Sequence, residues 1–228
     1  MEQVAWIGTG VMGSAMAGHL LAAGYPLTVH SRTKSKCQPL LDGGAAWAAS
    51  PAEVGEASDI VFSIVGYPRD VEEVTIGGHG CLAGLSEGGI ICDMTTSSPT
   101  LAQRLYALGA EKGIAVLDAP VSGGDKGARE ATLSIMAGGD GPAFQKALPL
   151  LEQMGKNILL MGPAGCGQHT KAANQIAVAG ATAAYTEAIL YAEKAGLDPQ
   201  KMLDAIGGGA AGSWQIANMA PRALAGDF

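Results

Sequence analysis

Charge is scarce in this chain of 228 residues: Asp, Glu, Lys and Arg together make up 15% of it, against 48% hydrophobic residues. So little charge beside so much apolar content excludes a disordered polymer and implies a globular protein with a large core. Positive charge is the scarcer sign. With 14 Lys and Arg against 21 Asp and Glu, the formal net charge is −7, which argues against nucleic acid or an anionic membrane surface as a general partner. Cysteine is sparse too. Cys37, Cys81, Cys92 and Cys166 show no CxxC or metal-ligand spacing, so no metal site is expected and the thiols are read as reduced. The opening MEQVAWIG has an acid at position 2 and too short an apolar run for a signal peptide. No stretch reads as a membrane span; the Ala-rich run over 176–184 is flanked by Lys171, Asn174 and Glu187. A cytoplasmic protein is the expectation.

What is present is an alternation. The runs QVAWI (3–7), PLTVH (26–30), DIVFSIV (59–65), GIICDM (89–94), IAVLDA (114–119), TLSIMAG (132–138) and NILLM (157–161) each read as a strand buried on both faces. Helical patterns lie between them at about 12–23, 51–57, 70–75, 99–112 and 142–154, with Pro51 and Pro99 following the candidate caps Ser50 and Ser98. Strand and helix in regular succession imply an α/β fold with a doubly wound, mostly parallel sheet. The 34 glycines fall mostly between the apolar runs, where tight turns need them. From Gly167 to Ala195 the text changes, with no Pro, a single interior Gly180 and many Ala. That spacing predicts one helix of about 42 Å. The expected domains are therefore 1–163, the doubly wound unit, and 164–228, an all-helical unit that opens with the long helix and has too little chain after it to close a core.

The segment VAWIGTGVMGSAMAGHL places Gly8, Gly10 and Gly13 in G-x-G-x-x-G order, after a strand and at the opening of a helix. Gly8 permits the tight turn, Gly10 lets backbone approach a pyrophosphate, and Gly13 lets helix and strand pack closely. The helix N-terminus, with Val11 and Met12 in its first turn, offers unpaired N–H groups to phosphate. The alternative is a structural glycine turn. An acid about 20 residues further on normally binds the ribose of NAD, yet no Asp or Glu occurs between Glu2 and Asp42. The second strand ends instead in His30, Ser31, Arg32 and Thr33. Arginine binds a 2′-phosphate bidentately and hydroxyls donate to it, whereas a carboxylate repels it. NADP(H) is thus expected over NAD(H), with Arg32 as the main determinant; a solvated basic loop is the competing reading.

Two further segments carry chemistry. APVSGG (119–124) follows a strand end, where Ser122, Gly123 and Gly124 could present a hydroxyl and two open N–H groups to a carboxylate; an ordinary turn is the alternative. GQHTKAAN (167–174) opens the long helix, with Lys171 and Asn174 three apart and so on one face. A lysine there is either a solvated charge or a proton carrier. The helix dipole disfavours a cation in the first turns, and desolvation would bring its pKa toward the range for acid–base work. His169, two residues before Lys171, faces elsewhere and is read as non-catalytic, as is Cys166.

With these motifs in this order (GTGVMGSAMAGHL, DMTTSSP, DAPVSGGDKGA, GCGQHTKAAN) the chain resembles the β-hydroxyacid dehydrogenases over essentially its whole length. The resemblance implies a Rossmann-type N-terminal domain, a helical C-terminal domain and a small carboxylate substrate bound in the cleft between them. It implies that Ser122, Gly123 and Gly124 hold the substrate carboxylate, Lys171 handles the hydroxyl proton, and Asn174 orients the substrate. It also brings Thr96 toward the nicotinamide and Val65 and Tyr67 into the dinucleotide cleft. Trp214 is either a pocket wall or a core residue. Members of the family continue past the equivalent of the final GDF, with a second functional lysine, and assemble as dimers or tetramers. The competing readings are a non-catalytic NADP-binding module and an imine reductase of similar fold; Lys171 and PVSGG favour the hydroxyacid reading.

Overall fold

The computed structural model describes residues 2–227. The strands are β1 (Val4–Ile7), β2 (Leu27–His30), β3 (Ala46–Trp47), β4 (Ile60–Ser63), β5 (Ile90–Asp93), β6 (Ala115–Asp118), β7 (Val121–Ser122), β8 (Leu133–Gly138) and β9 (Gly155–Gly162). The helices are α1 (Val11–Ala22), α2 (Gln38–Asp42), α3 (Pro51–Glu56), α4 (Pro68–Ile76), α5 (Cys81–Gly84), α6 (Pro99–Ala110), α7 (Gly124–Arg129), α8 (Gly141–Leu151), α9 (Cys166–Lys194), α10 (Pro199–Gly207), α11 (Trp214–Asn218) and α12 (Ala220–Leu224). The chain divides into two compact units, Met1–Lys171 and Ala172–Phe228.

In the first unit the sheet runs β3-β2-β1-β4-β5-β6 with every neighbour parallel. This is the Rossmann order, in which the chain winds outward from β1, returns, and winds out on the other side. The reversal opens a crevice at the C-terminal ends of β1 and β4. Beyond β6 the sheet changes direction: β6 and β7 pair antiparallel with β8, and β8 pairs parallel with β9.

Alternation along the strands explains their unbroken apolar text. Val4 and Trp6 of β1, Ile60 and Phe62 of β4, and Ile90 and Cys92 of β5 enter one core layer. Ala5 and Ile7, Val61, and Ile91 enter the layer on the opposite face. A strand covered by helices on both sides has no solvent face to mark with polar residues. Ser50 and Ser98 cap α3 and α6 through the N–H groups of Glu53 and Leu101, each ahead of a proline, as the sequence predicts.

One strand departs from expectation. The sequence predicts NILLM buried on both faces, but β9 lies at the sheet edge and Leu159, Leu160 and Met161 are exposed. An apolar run reads the same in the middle of a sheet and at its margin, because periodicity carries no information about neighbours.

The second unit contains most of α9 together with α10–α12. Asp198 caps α10 by accepting from the N–H groups of Gln200 and Lys201, and Ser213 caps α11 at Ile216. Tyr185, Ile189, Leu203, Ile216 and Ala220 close a small apolar core, more than was expected of so short a helical segment. Among the described residues, no helix is long and apolar enough to cross a membrane.

Candidate active site

The crevice beside β1 is a cleft of about 630 Å³ lined by Gly8, Gly10, Val11, Met12, Gly13, Ser31, Arg32, Thr33 and Val65 among others. Gly8 has φ +97°, and a Cβ there would strike the carbonyl of Ile64; one at Gly13 would strike the carbonyl of Gly8. At Gly10 a Cβ would meet nothing within 4 Å. The first and third glycines are therefore required by the protein's own packing, and the second leaves open space toward the cleft. Trp6, fully buried and stacked on Phe62 at 5.6 Å, donates from Nε1 to the Gly8 carbonyl at 3.0 Å and so pins the turn from beneath. The N-terminus of α1 has no side-chain cap and no acid in its first turn. Its unpaired N–H groups and partial positive charge face the cleft, an arrangement that fits a dinucleotide's phosphates.

Arg32 leaves the end of β2 with its side chain 83% exposed, 3.4 Å from the Asp70 carboxylate. Asp70 also accepts from the Tyr67 N–H at 3.0 Å, closing a capping box at the start of α4. Asp70, Glu73 and Lys36 line the same cleft; Lys36 belongs to the basic loop after β2, where the sequence leaves it open to cofactor or water, and nothing in the sequence places Asp70 or Glu73 there. The Tyr-Pro-x-Asp pattern signals the cap, but no local signal reports that Asp70 lies beside Arg32. Tyr67 and Thr96, expected around the cofactor, are exposed and do not line this cleft.

The C-terminal ends of β5 and β6 carry two buried acids in register, Asp93 and Asp118. Asp93 accepts from Ser63 Oγ at 3.0 Å and from the Thr95 N–H at 3.1 Å. Burial pushes its carboxyl up from the ordinary 3.8 to about 6, against the opposing hydrogen bonds from Thr95 and Ser63. A raised carboxyl favours the fold below its unfolded value and loses that contribution as pH rises through about 6. Asp93→Asn keeps an acceptor and removes the buried charge. It is expected to raise Tm by a few degrees, roughly 3–5 °C, at pH 8, with the gain falling to about a third of that near pH 4.5 in parallel thermal melts and vanishing only below the ordinary 3.8. An equal change at both pH values would contradict this assignment.

Asp118 sits at the opening of α9. Its Oδ1 accepts from the Gly165 N–H at 2.7 Å and its Oδ2 from the Gln168 N–H at 2.8 Å. A carboxylate at a helix N-terminus satisfies orphan donors and complements the dipole. Burial raises its carboxyl above the ordinary value, opposed by the hydrogen bonds from Gly165, Gln168 and Gly167. Lys171 follows on the next turn and is only 8% exposed. Desolvation lowers its pKa from the ordinary 10.5, because burial disfavours the ammonium form.

Ser122 ends β7, and Gly123 and Gly124, with φ +139° and +62°, turn the chain into α7. A side chain at Gly124 would meet nothing within 4 Å, so this backbone is accessible. Asn174 and Trp214 belong to the second unit; Asn174 is half-buried, and Trp214 opens α11 with 62% of its surface exposed. Among the described residues, no group of three or more His, Cys, Asp or Glu is placed to hold a metal ion.

A doubly wound sheet, a glycine turn open toward the crevice at its switch point and a buried lysine whose pKa desolvation lowers are features of an oxidoreductase that binds a nicotinamide dinucleotide. The model for the NAD-binding domain of 6-phosphogluconate dehydrogenase matches residues 3–162, and that for the NAD-binding domain of NADP-dependent 3-hydroxyisobutyrate dehydrogenase matches residues 165–228. The chain is 50% identical over 227 residues to a probable 3-hydroxyisobutyrate dehydrogenase-like mitochondrial protein of Arabidopsis thaliana, covering 99% of this chain and 68% of that protein. Among the solved structures that share its fold, two bear on the site. One is 3-hydroxyisobutyrate dehydrogenase of Mycobacterium tuberculosis with L-serine (33% identity, TM-score 0.88, 97% of this chain and 75% of that one). The other is Psf3 in complex with NADP+ and 2-OPP (30% identity, TM-score 0.90, 99% and 80%). The chain belongs to the β-hydroxyacid dehydrogenase family, whose named members are oxidoreductases acting on hydroxy acids.

Proposed function

We propose that the protein is an NADP(H)-dependent 3-hydroxyacid dehydrogenase working chiefly as a reductase of small aldehyde acids, with Lys171 as the general acid and base. The observation that carries this reading is the burial of Lys171 one turn into α9, with its pKa lowered by desolvation. The bound nicotinamide would supply or accept the hydride. Ser122, Gly123 and Gly124 hold the substrate carboxylate through a hydroxyl and backbone N–H groups. Lys171 Nζ donates a proton to the carbonyl oxygen during reduction and takes it back from the hydroxyl during oxidation. Asn174, three residues further along the helix, orients the substrate. A non-catalytic binding module gains nothing from burying an amine at this position, where both burial and the helix dipole oppose its charge.

Arg32, with the hydroxyls of Ser31 and Thr33, receives the 2′-phosphate of the cofactor. NADPH oxidation over a panel of glyoxylate, succinic semialdehyde and methylmalonate semialdehyde, repeated with NADH, tests the whole reading. Turnover of cyclic imines with none of these acids would overturn it. Asp70 adds a finer expectation, because its carboxylate competes with that phosphate for Arg32. Asp70→Asn retains the acceptor for Tyr67 and is expected to tighten NADPH binding about two- to fivefold at low salt, consistent with a screened surface pair. Fluorescence titration at low and high salt measures it; an unchanged Kd would remove Asp70 from cofactor selection.

A further inference from the structure

The first turn of α9 is joined to the segment after β5 by one side chain. Gln168 is 2% exposed. Its Oε1 accepts from the Ser97 N–H at 2.8 Å, and its Nε2 donates to the Thr95 carbonyl at 2.7 Å. A backbone N–H can only donate and a carbonyl can only accept, so a side chain meeting both at once must offer one acceptor and one donor in the same plane. A primary amide does this at neutral pH; an ionised carboxylate has no donor. The same backbone segment reaches on toward the cofactor cleft, since Thr95 Oγ1 accepts from the Val65 N–H at 3.0 Å, and Val65 lines that cleft. At the other end, the Gln168 N–H is held by Asp118, and Lys171 lies three residues on, on the same face of the helix. An unbroken set of hydrogen bonds thus runs from the wall of the cofactor cleft to the turn that carries the lysine.

We infer that Gln168 is a positioning residue, which sets the amine of Lys171 relative to the cofactor-cleft wall by locking the first turn of α9 to the backbone of Thr95 and Ser97. It touches neither proton nor hydride. Its contribution is alignment, and proton transfer from a misplaced donor is slow even when both reactants are bound. This inference rests on the proposed role of Lys171.

The test compares the parent protein with Gln168→Met, Gln168→Glu and Lys171→Met, using NADPH and the best aldehyde acid of the panel. Methionine has nearly the length of glutamine but neither donor nor acceptor. Gln168→Met is expected to lower kcat about 30- to 100-fold, while NADPH Kd stays within about threefold. Gln168→Glu supplies the readout that a purely structural role would not move. Its ionised carboxylate can accept from Ser97 but cannot donate to Thr95. Once protonated, it offers a donor and an acceptor again. In the reducing direction, where Lys171 must carry its proton, the ratio of Gln168→Glu to parent kcat is expected to rise about tenfold or more as pH falls from about 8 to about 5.5. A kcat for Gln168→Met within about twofold of the parent overturns the inference, and so does a loss that follows NADPH affinity or a pH-independent Gln168→Glu ratio. If Gln168→Met does not fold, the Gln168→Glu profile alone decides. Lys171→Met separates the two layers. Near-normal turnover there refutes the proposed chemistry itself, whereas an inactive Lys171→Met beside an unimpaired Gln168→Met refutes only the positioning role.

Discussion

Lys171→Met is expected to lower kcat by about 10³-fold in both directions, the range that general acid–base catalysis contributes, while NADPH affinity changes less than about threefold. The amine would act on the substrate oxygen, and the dinucleotide cleft is built from other residues, Gly8 to Gly13 and Ser31 to Thr33. The pH dependence has a definite sign. Reduction needs the ammonium form, so the parent kcat falls as pH rises through the pKa of Lys171; oxidation needs the free amine, so its kcat rises through the same pKa. Burial places that pKa below the ordinary 10.5. Both limbs should vanish in the methionine variant. The fold should not suffer in proportion, because a buried ammonium is itself unfavourable, and the unfolded chain holds the proton more tightly between the lowered pKa and 10.5. A Tm within a few degrees of the parent, roughly 3 °C, is expected at neutral pH. A variant that retains near-normal kcat would remove Lys171 from the chemistry.

Changing Arg32 should have the second largest effect. Arg32→Ser removes the guanidinium but leaves a loop of hydroxyls, and is expected to lower kcat/KM for NADPH about 10²-fold, the loss of one or two charge-assisted hydrogen bonds. With NADH the change should stay below about threefold, since its ribose carries no phosphate to lose. Arg32→Asp should go further against NADPH, because it sets a second carboxylate beside Asp70 and faces the phosphate with like charge. An acid can also accept from the ribose 2′-hydroxyl, so the same variant should gain with NADH what it loses in repulsion. Steady-state kinetics with both cofactors measures the two variants. Equal losses for NADPH and NADH would show that Arg32 does not read the 2′-phosphate.

The doubly wound sheet was legible because its central strands are covered on both faces and therefore written as continuous apolar text. The glycine turn was legible because each of its three glycines answers to a local steric demand. The caps at Ser50 and Ser98 follow from residues three apart. Legibility fails where the cause is distant along the chain. Asp70 meets Arg32 across 38 positions, and Gln168 meets Ser97 across 71; neither pair leaves a mark on its own neighbourhood. β9 fails for a related reason, since nothing in NILLM states whether another strand or solvent lies beyond it. Lys171 is intermediate. Its place on an Ala-rich helix allowed either a solvated charge or a buried amine, and only the fold decides for burial.

The bond from Trp6 to the Gly8 carbonyl has an optical consequence. An indole held in the core, hydrogen-bonded to the turn that would carry the pyrophosphate and stacked on Phe62, emits from an apolar environment. Trp47 lies beside the Lys34 ammonium, and Trp214 emits largely from water. The blue edge of the protein's fluorescence is therefore expected to belong mainly to Trp6, which gives the glycine turn a native chromophore directly beneath it.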